Sequence, residues 1–151
     1  MGAINYGTSD YITIGYNCGD IDHNEVDYDF FMQDDYDTVK NILSNYSFYY
    51  FHVSVEPGYY EGFYIDIEFN YPLFFQDYTE RKEAQQEITT IRHVLKQIVE
   101  NTNCCAVYPG WCMGYADYSD TLSEIDKAAK QMRQHVHDTP TYRQYARRCE
   151  H

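Results

Sequence analysis

Phe63-Tyr64-Ile65-Asp66-Ile67-Glu68-Phe69 is the stretch that decides the predicted fold. Its apolar residues alternate with more polar ones, and a period of two is typical of a strand with one face on a core and one in water. The preceding residues 47–55 are rich in aromatic and β-branched residues, and Pro57-Gly58 suits the two central positions of a type II turn. Residues 47–69 are therefore predicted to form a β-hairpin.

Helices are predicted on both sides of this hairpin, where apolar residues recur at helical spacing. A short helix is expected around residues 36–46, after an acidic stretch whose residues 17–34 are expected to be mobile or to order on a partner. A long helix is expected at 79–101, because Asp77 and Glu80 have the spacing of a capping pair. Another is expected at 121–137, where Thr121 and Glu124 form a capping box.

Two short β segments, at residues 11–16 and 104–108, complete the predicted elements. The order strand, helix, strand, strand, helix, strand is that of a ferredoxin-like βαββαβ fold. The sequence therefore predicts an α+β fold with a mainly antiparallel four-stranded sheet, helices on one face and an extra C-terminal helix near 142–148. In this fold the apolar row of the deciding stretch faces the long helix, at Ile88, Ile91, Leu95 and Ile98.

Charge is distributed unevenly along the 151 residues, which contain 24 Asp and Glu against 11 Lys and Arg, for a net charge of −13. Residues 1–80 carry 15 acidic residues and one base, whereas residues 81–151 carry 9 acidic and 10 basic residues. Either half alone is small for a stable core. We therefore predict a single α+β domain over residues 1–151, with an acidic, aromatic half at 1–80 and a helical half at 81–151.

The composition excludes several classes of function. Proteins that bind nucleic acids directly neutralise phosphates with an excess of Lys and Arg, whereas in this chain the acidic residues outnumber the basic ones. No apolar run approaches the roughly 18 residues that a membrane span needs. The first residues do not resemble a secretory signal, and the five cysteines are an odd number without a C-x-x-C pair, so a cytoplasmic protein with reduced thiols is expected.

Metal-binding patterns are incomplete. Asp20, Asp22 and Asn24 begin like a calcium loop, but Glu25 stands where the loop needs Gly and Phe31 where it needs a closing Glu. The cysteines and histidines also lack the short pairs typical of zinc sites. No metal or cofactor is predicted.

Residues 20–37 carry eight carboxylates and no base, and such a cluster repels itself. The acidic field either serves solubility or attracts a partner. Two Pro-Gly turns, at Pro57-Gly58 and Pro109-Gly110, add tyrosines and a tryptophan that suit interface anchors or cover the ends of the sheet. The candidate partner-binding residues are Asp20, Asp22, Asp27, Asp29, Asp34, Asp35, Asp37, Tyr59, Tyr60, Asp66, Glu68 and Trp111.

Three stretches carry a resemblance: residues 5–13 (NYGTSDYIT), 56–63 (EPGYYEGF) and 108–112 (YPGWC). With them, residues 4–146 resemble a family of small acidic, Tyr-rich proteins from phages and mobile elements of Gram-positive bacteria. This resemblance implies an accessory protein, and small acidic proteins of that setting often block defence nucleases by imitating DNA. It implies no catalytic residues.

Two functions compete on these observations. The first is a non-enzymatic inhibitor whose acidic surface occupies the basic nucleic-acid groove of a host defence protein, either a CRISPR effector or a restriction enzyme. The second is a small-ligand binder or enzyme that uses the loop around Trp111 and Cys112. Because no base lies near Cys112 in the sequence, the thiol lacks the partner that cysteine catalysis needs, and we expect no enzymatic activity. An RNA binder with an aromatic sheet is opposed by the charge.

Overall fold

The structure is a computed structural model that describes the backbone of residues 14–16, 28–57, 63–71, 73–102, 104–106 and 118–150. Side chains are described for residues 34–55, 65–71, 73–102 and 122–150. The elements in chain order are β1 (Ile14–Tyr16), α1 (Tyr28–Ser44), β2 (Phe51–Pro57), β3 (Phe63–Phe69), α2 (Tyr78–Asn101), β4 (Cys104–Ala106), α3 (Tyr118–Asp138) and α4 (Tyr142–Cys149).

The predicted hairpin is confirmed, with β2 and β3 paired antiparallel over seven residues each. The register places Phe51 opposite Phe69 and Val53 opposite Ile67. Ile65, Ile67 and Phe69 are buried, and they share one core cluster with Ile88, Ile91, Leu95 and Ile98 of α2. The described residues of the apolar row are therefore buried in the same core as the helix stripe that the sequence predicted, because alternate residues of a strand share one face.

The predicted four-stranded ferredoxin-like sheet is wrong. Among the described strands, β1 pairs antiparallel with β4 and β2 pairs antiparallel with β3, so the strands form two separate two-stranded sheets. β1 comes close to β3, but no ladder joins them in the described part of the chain. β1 and β4 are three residues each, which offers few backbone groups for a ladder with a second neighbour. Helices account for most of the described residues.

The two long helices are confirmed. Asp77 caps α2 by accepting the backbone N–H of Glu80 at 3.0 Å, as the predicted capping pair requires. The apolar stripe of α3 is buried at Ile125, Ala129, Met132 and Val136. The capping box at Thr121 is wrong, because α3 begins at Tyr118 and Thr121 lies inside it.

Within the described residues, no helix combines the length and the apolar character needed to cross a membrane.

The first helix is longer than predicted. It begins at Tyr28, so residues 28–34, expected to be mobile or to order on a partner, are helical here, while residues 17–27 lie outside the described part. Acidic residues near a helix N-terminus interact favourably with its dipole, which compensates for the poor helix propensity of Asp. α1 packs through Val39, which is fully buried, and through the partly buried Ile42 and Leu43.

The predicted extra C-terminal helix is present as α4, and a corner attaches it to the core. The N–H of Phe75 donates to the carbonyl of Pro140 at 2.7 Å, and the N–H of Tyr142 donates to the carbonyl of Phe75 at 2.6 Å. The guanidinium of Arg81 donates to the carbonyl of Thr139 and, at 3.2 Å, to Oε1 of Gln144. These hydrogen bonds therefore join the segment around the start of α2 to the end of α3 and the start of α4.

We expect Ile67→Ala to lower the free energy of unfolding by about 3 kcal/mol, because Ile67 is fully buried and its truncation leaves a cavity. Urea denaturation followed by circular dichroism measures this loss. Ile42→Ala, at a partly buried position of α1, is the matched control and should cost clearly less. Equal losses for the two variants would contradict the central place of Ile67 in this core.

Candidate functional site

A groove lies between residues 47–50, which lead into β2, and the first turns of α2. It has a volume of about 710 Å³. We call it the acidic groove, because four carboxylate side chains line it and none of its described lining residues is Lys or Arg. Its described lining residues are Ser47, Phe48, Tyr49, Tyr50, Asp77, Thr79, Glu80, Glu83, Gln86, Glu87 and Thr90.

Three of these carboxylates come from one face of α2. Glu80, Glu83 and Glu87 are spaced by three and four residues, which places them along the same side of a helix. Asp77, the N-cap, continues the row at the helix start, where the helix dipole favours negative charge. Like charges at this spacing destabilise an isolated helix, so the row depends on the hydrogen-bond donors that face it.

Glu87 is held by two of these donors. Its carboxylate accepts the backbone N–H groups of Tyr49 and Tyr50, at distances between 3.0 and 3.2 Å. Partial burial raises the pKa of Glu87 above its ordinary value of 4.5, although these N–H groups act in the opposite direction. The charge of Glu83 raises the pKa of Glu87 further. Glu87 thus joins the segment just before β2 to α2 by hydrogen bonds.

Tyrosine hydroxyls satisfy the other two glutamates. The Tyr50 hydroxyl donates to Oε2 of Glu83 at 2.6 Å, and the Tyr71 hydroxyl donates to Oε1 of Glu80 at 3.1 Å. Burial raises the pKa of both phenols above the ordinary value of 10, and their hydrogen bonds to other side chains raise it further. Both tyrosines therefore stay protonated at neutral pH, as donors to the carboxylates.

The rings of these tyrosines connect the acidic groove to the core. Tyr50 lies 5.0 Å from Tyr71, and Tyr71 stacks on Phe75 at 5.1 Å between ring centroids. Tyr50 and Phe75 are buried, whereas Tyr49 is 67% exposed and lies against Tyr50 at 5.0 Å in an edge-on arrangement. Tyr49 is therefore an exposed ring on a rigid aromatic base.

A second, smaller groove of about 390 Å³ adjoins the first through Tyr49, which lines both. We call it the apolar groove, and its described lining holds no charged residue. Leu73, which is 51% exposed, and Phe74 form its apolar part. Its described lining residues are Tyr49, Asn70, Tyr71, Leu73, Phe74 and Gln76.

This arrangement suits a cationic partner. The described side chains include no group of three or more His, Cys, Asp or Glu that could hold a metal ion. The acidic groove is open and lined by aromatic rings as well as carboxylates, which is the environment that Lys and Arg side chains prefer. A positive side chain entering it would also relieve the repulsion among the glutamates.

None of the residues predicted from the sequence lines either groove among those whose side chains are described. Asp34 and Asp37 are exposed on α1, as an acidic surface requires, but Asp35 is only 5% exposed. Asp66 and Glu68 are half-buried on β3, opposite Ser54 and His52. The side chains that lie outside the described residues are Asp20, Asp22, Asp27, Asp29, Tyr59, Tyr60, Trp111 and Cys112.

The residues that line the acidic groove were not among those predicted from the sequence. Glu80, Glu83 and Glu87 sit at helical spacing inside a correctly predicted helix, and this periodicity was the available signal. The row of acidic residues does not stand out in the composition, because residues 81–151, which include Glu83 and Glu87, are nearly neutral as a whole. Tyr49 and Tyr50 could not be assigned to these glutamates, since 33 to 38 residues separate the partners in sequence.

We expect Tyr50→Phe to cost about 1 kcal/mol of unfolding free energy, because it removes a short hydrogen bond to a carboxylate at a position that is 3% exposed. Tyr46→Phe is the control, since the Tyr46 hydroxyl makes a longer bond of 3.3 Å to neutral Gln97 and should matter less. Chemical denaturation measures both. A larger loss for Tyr46→Phe would contradict the role of the Tyr50–Glu83 pair.

The raised pKa of Glu87 predicts an unusual pH dependence. The folded protein binds the Glu87 proton more tightly than the unfolded chain does. The stabilisation from this group is therefore complete below pH 4.5 and declines as the pH rises through the folded-state pKa. The free energy of unfolding of the natural protein should therefore fall relative to that of Glu87→Gln as the pH rises. Urea denaturation at several pH values measures this shift, with exposed Glu100→Gln as the control. A shift in the opposite direction would show that the backbone N–H groups outweigh burial.

Comparisons with known proteins assign no family to this chain. No protein-family model matches it, and searches of curated proteins and of solved structures give no match either. The resemblance to acidic phage and mobile-element proteins stays a prediction.

Proposed function

We propose that this chain is a non-enzymatic inhibitor of phage or mobile-element origin that acts in the host cytoplasm. It binds the basic nucleic-acid groove of a host defence nuclease, either a CRISPR effector or a restriction enzyme. It does so by presenting carboxylates where that groove normally receives phosphates. The observation that carries this proposal is the acidic groove, with four carboxylates and no base among its described lining residues.

The charge of the whole chain supports the same partner. With a formal charge of −13, the protein repels nucleic acids and anionic membranes and attracts basic surfaces. Exposed Asp34 and Asp37 on α1 add to this field, in a part of the chain where Lys40 is the first base. Several carboxylates acting together increase the rate of encounter with a Lys- and Arg-rich groove.

Charge and aromatic contact have different roles in this mechanism. A single exposed carboxylate contributes little to affinity, because water and salt screen it. Exposed Tyr49 offers a large contact area at a low cost in side-chain entropy, as interface anchors do. The acidic groups thus bring the partner to the surface, and Tyr49 holds it there.

The alternative function, a small-ligand or enzyme site around Trp111 and Cys112, falls on residues outside the described part. Neither described groove includes that loop, so no described contact favours this function. The inhibitor is therefore the function we propose.

Neutralising Asp34, Asp37 and Glu83 together, to Asn, Asn and Gln, should weaken inhibition on the order of tenfold at low salt and reduce its salt dependence. All three are exposed, whereas buried Asp35 is left unchanged to protect the fold. DNA-cleavage assays with a panel of purified CRISPR effectors and restriction enzymes, over a salt series, measure the effect. Circular dichroism and thermal denaturation confirm that the variant is folded.

The matched control neutralises Glu100, Asp138 and Glu150, which are also exposed but line neither groove and do not belong to α1. Its net charge changes by the same amount, so it should inhibit nearly as well as the natural protein. Equal inhibition by both triple variants at every salt concentration would refute the acidic-groove mechanism. Failure to inhibit any nuclease of the panel would refute the proposed function itself.

A further inference from the structure

The apolar groove exposes apolar side chains at the surface formed by the described residues. Leu73 and Tyr49, at 51% and 67% exposure, form its walls, and Tyr142, at 54%, extends the patch. The Tyr142 ring lies 5.4 Å from Phe74, so the patch continues from the groove onto α4. Contiguous apolar patches on a protein surface commonly mark interaction sites.

The groove is held rigid from below. Tyr71 forms its floor, stacked on buried Phe75 and hydrogen-bonded to Glu80. Phe74 packs between α4 rings, 4.9 Å from Tyr145 on one side. A preformed groove binds a partner with little loss of conformational entropy.

Charge complementarity selects the occupant. The apolar groove shares Tyr49 with the acidic groove, so an apolar surface and a row of carboxylates lie side by side. Anionic lipids and nucleic acids, which could contact aromatic rings, are repelled by these carboxylates and by the net charge of −13. A protein segment with apolar residues on one side and Lys or Arg beside them fits both grooves at once.

We propose that the two grooves together form one docking site for a basic amphipathic segment of the partner protein. An apolar side chain of that segment sits between Leu73 and Tyr49, and its cationic side chains reach Glu83 and Asp77. This inference rests on the proposed function, because it specifies which part of a basic partner is bound. Leu73 and Tyr49 act as anchors that give the complex its salt-resistant affinity, whereas the carboxylates give the salt-dependent part.

A pair of synthetic peptides tests the docking site. One is an amphipathic helix of Leu and Lys, and the other has the same length and charge, with every Leu replaced by Ser. The Leu peptide should bind the natural protein roughly tenfold more tightly, since burial of one Leu side chain has about this effect. Isothermal titration calorimetry at low and high salt measures both affinities, and amide chemical shifts in NMR spectra locate the bound peptide.

Leu73→Ser should abolish the preference for the Leu peptide and leave binding of the Ser peptide unchanged. Tyr78→Ser is the matched control, because Tyr78 is similarly exposed and lines neither groove. An undiminished preference in Leu73→Ser, equal binding of the two peptides, or shifts remote from Tyr49 and Leu73 would overturn the docking site. So would a dimer in sedimentation experiments that Leu73→Ser dissociates, because the groove would then bind a second copy.

The two proposals fail in different ways. If the Leu peptide has no advantage but the triple neutralised variant loses nuclease inhibition, the docking site is wrong and the proposed function stands. If no nuclease is inhibited but the Leu peptide binds in a Leu73-dependent manner, the proposed function is wrong and the site binds another basic protein.

Discussion

The hydrogen bonds from two consecutive backbone N–H groups, at Tyr49 and Tyr50, to the carboxylate of Glu87 are the contact on which the site depends. They hold the entry to β2 against α2 over a sequence distance of 37 and 38 residues. An ionised acceptor makes such bonds stronger than neutral ones, and leaving the two donors unpaired would cost free energy. Because the entry to β2 is held there, the acidic groove opens beside it, and Tyr49 points outward while Tyr50 points into the core.

Contacts between aromatic rings connect this region to the rest of the core. Phe69 of β3 lies between Phe51, at 5.3 Å, and Phe75, at 6.1 Å, and Phe75 in turn supports Tyr50 and Tyr71. The same Phe75 bridges to Thr141 and so attaches α4. One residue thus joins the core, the floor of the apolar groove and the C-terminal helix. The high tyrosine content serves here to bury ring area while its hydroxyls reach carboxylates at the surface.

The predicted elements and the predicted fold differ in how well they could be inferred. The hairpin and α2 follow from periodicities of two and 3.6 residues, which are local properties of a short stretch. The pairing of β1 with β4 joins residues 14–16 to 104–106 and leaves no periodic signal in either segment. The ferredoxin-like prediction failed at a different step, because no ladder joins β1 to β3 among the described strands and the two strand pairs stay separate. The order of elements along a chain does not determine which strands hydrogen-bond. The early start of α1 was missed for another reason, because Asp has a low helix propensity away from the N-terminal turn.

The acidic character was determined by the sequence alone, since the net charge follows from composition and does not change with folding. The apolar stripes of α2 and β3 were determined in the same way, because burial follows the periodicity of each element. Only the tertiary structure decided where the carboxylates act. It buried Asp35, left Asp34 and Asp37 exposed, and gathered Glu80, Glu83 and Glu87 around a groove with tyrosines from a distant segment. Such a grouping depends on packing between elements far apart in the chain, which no local pattern encodes.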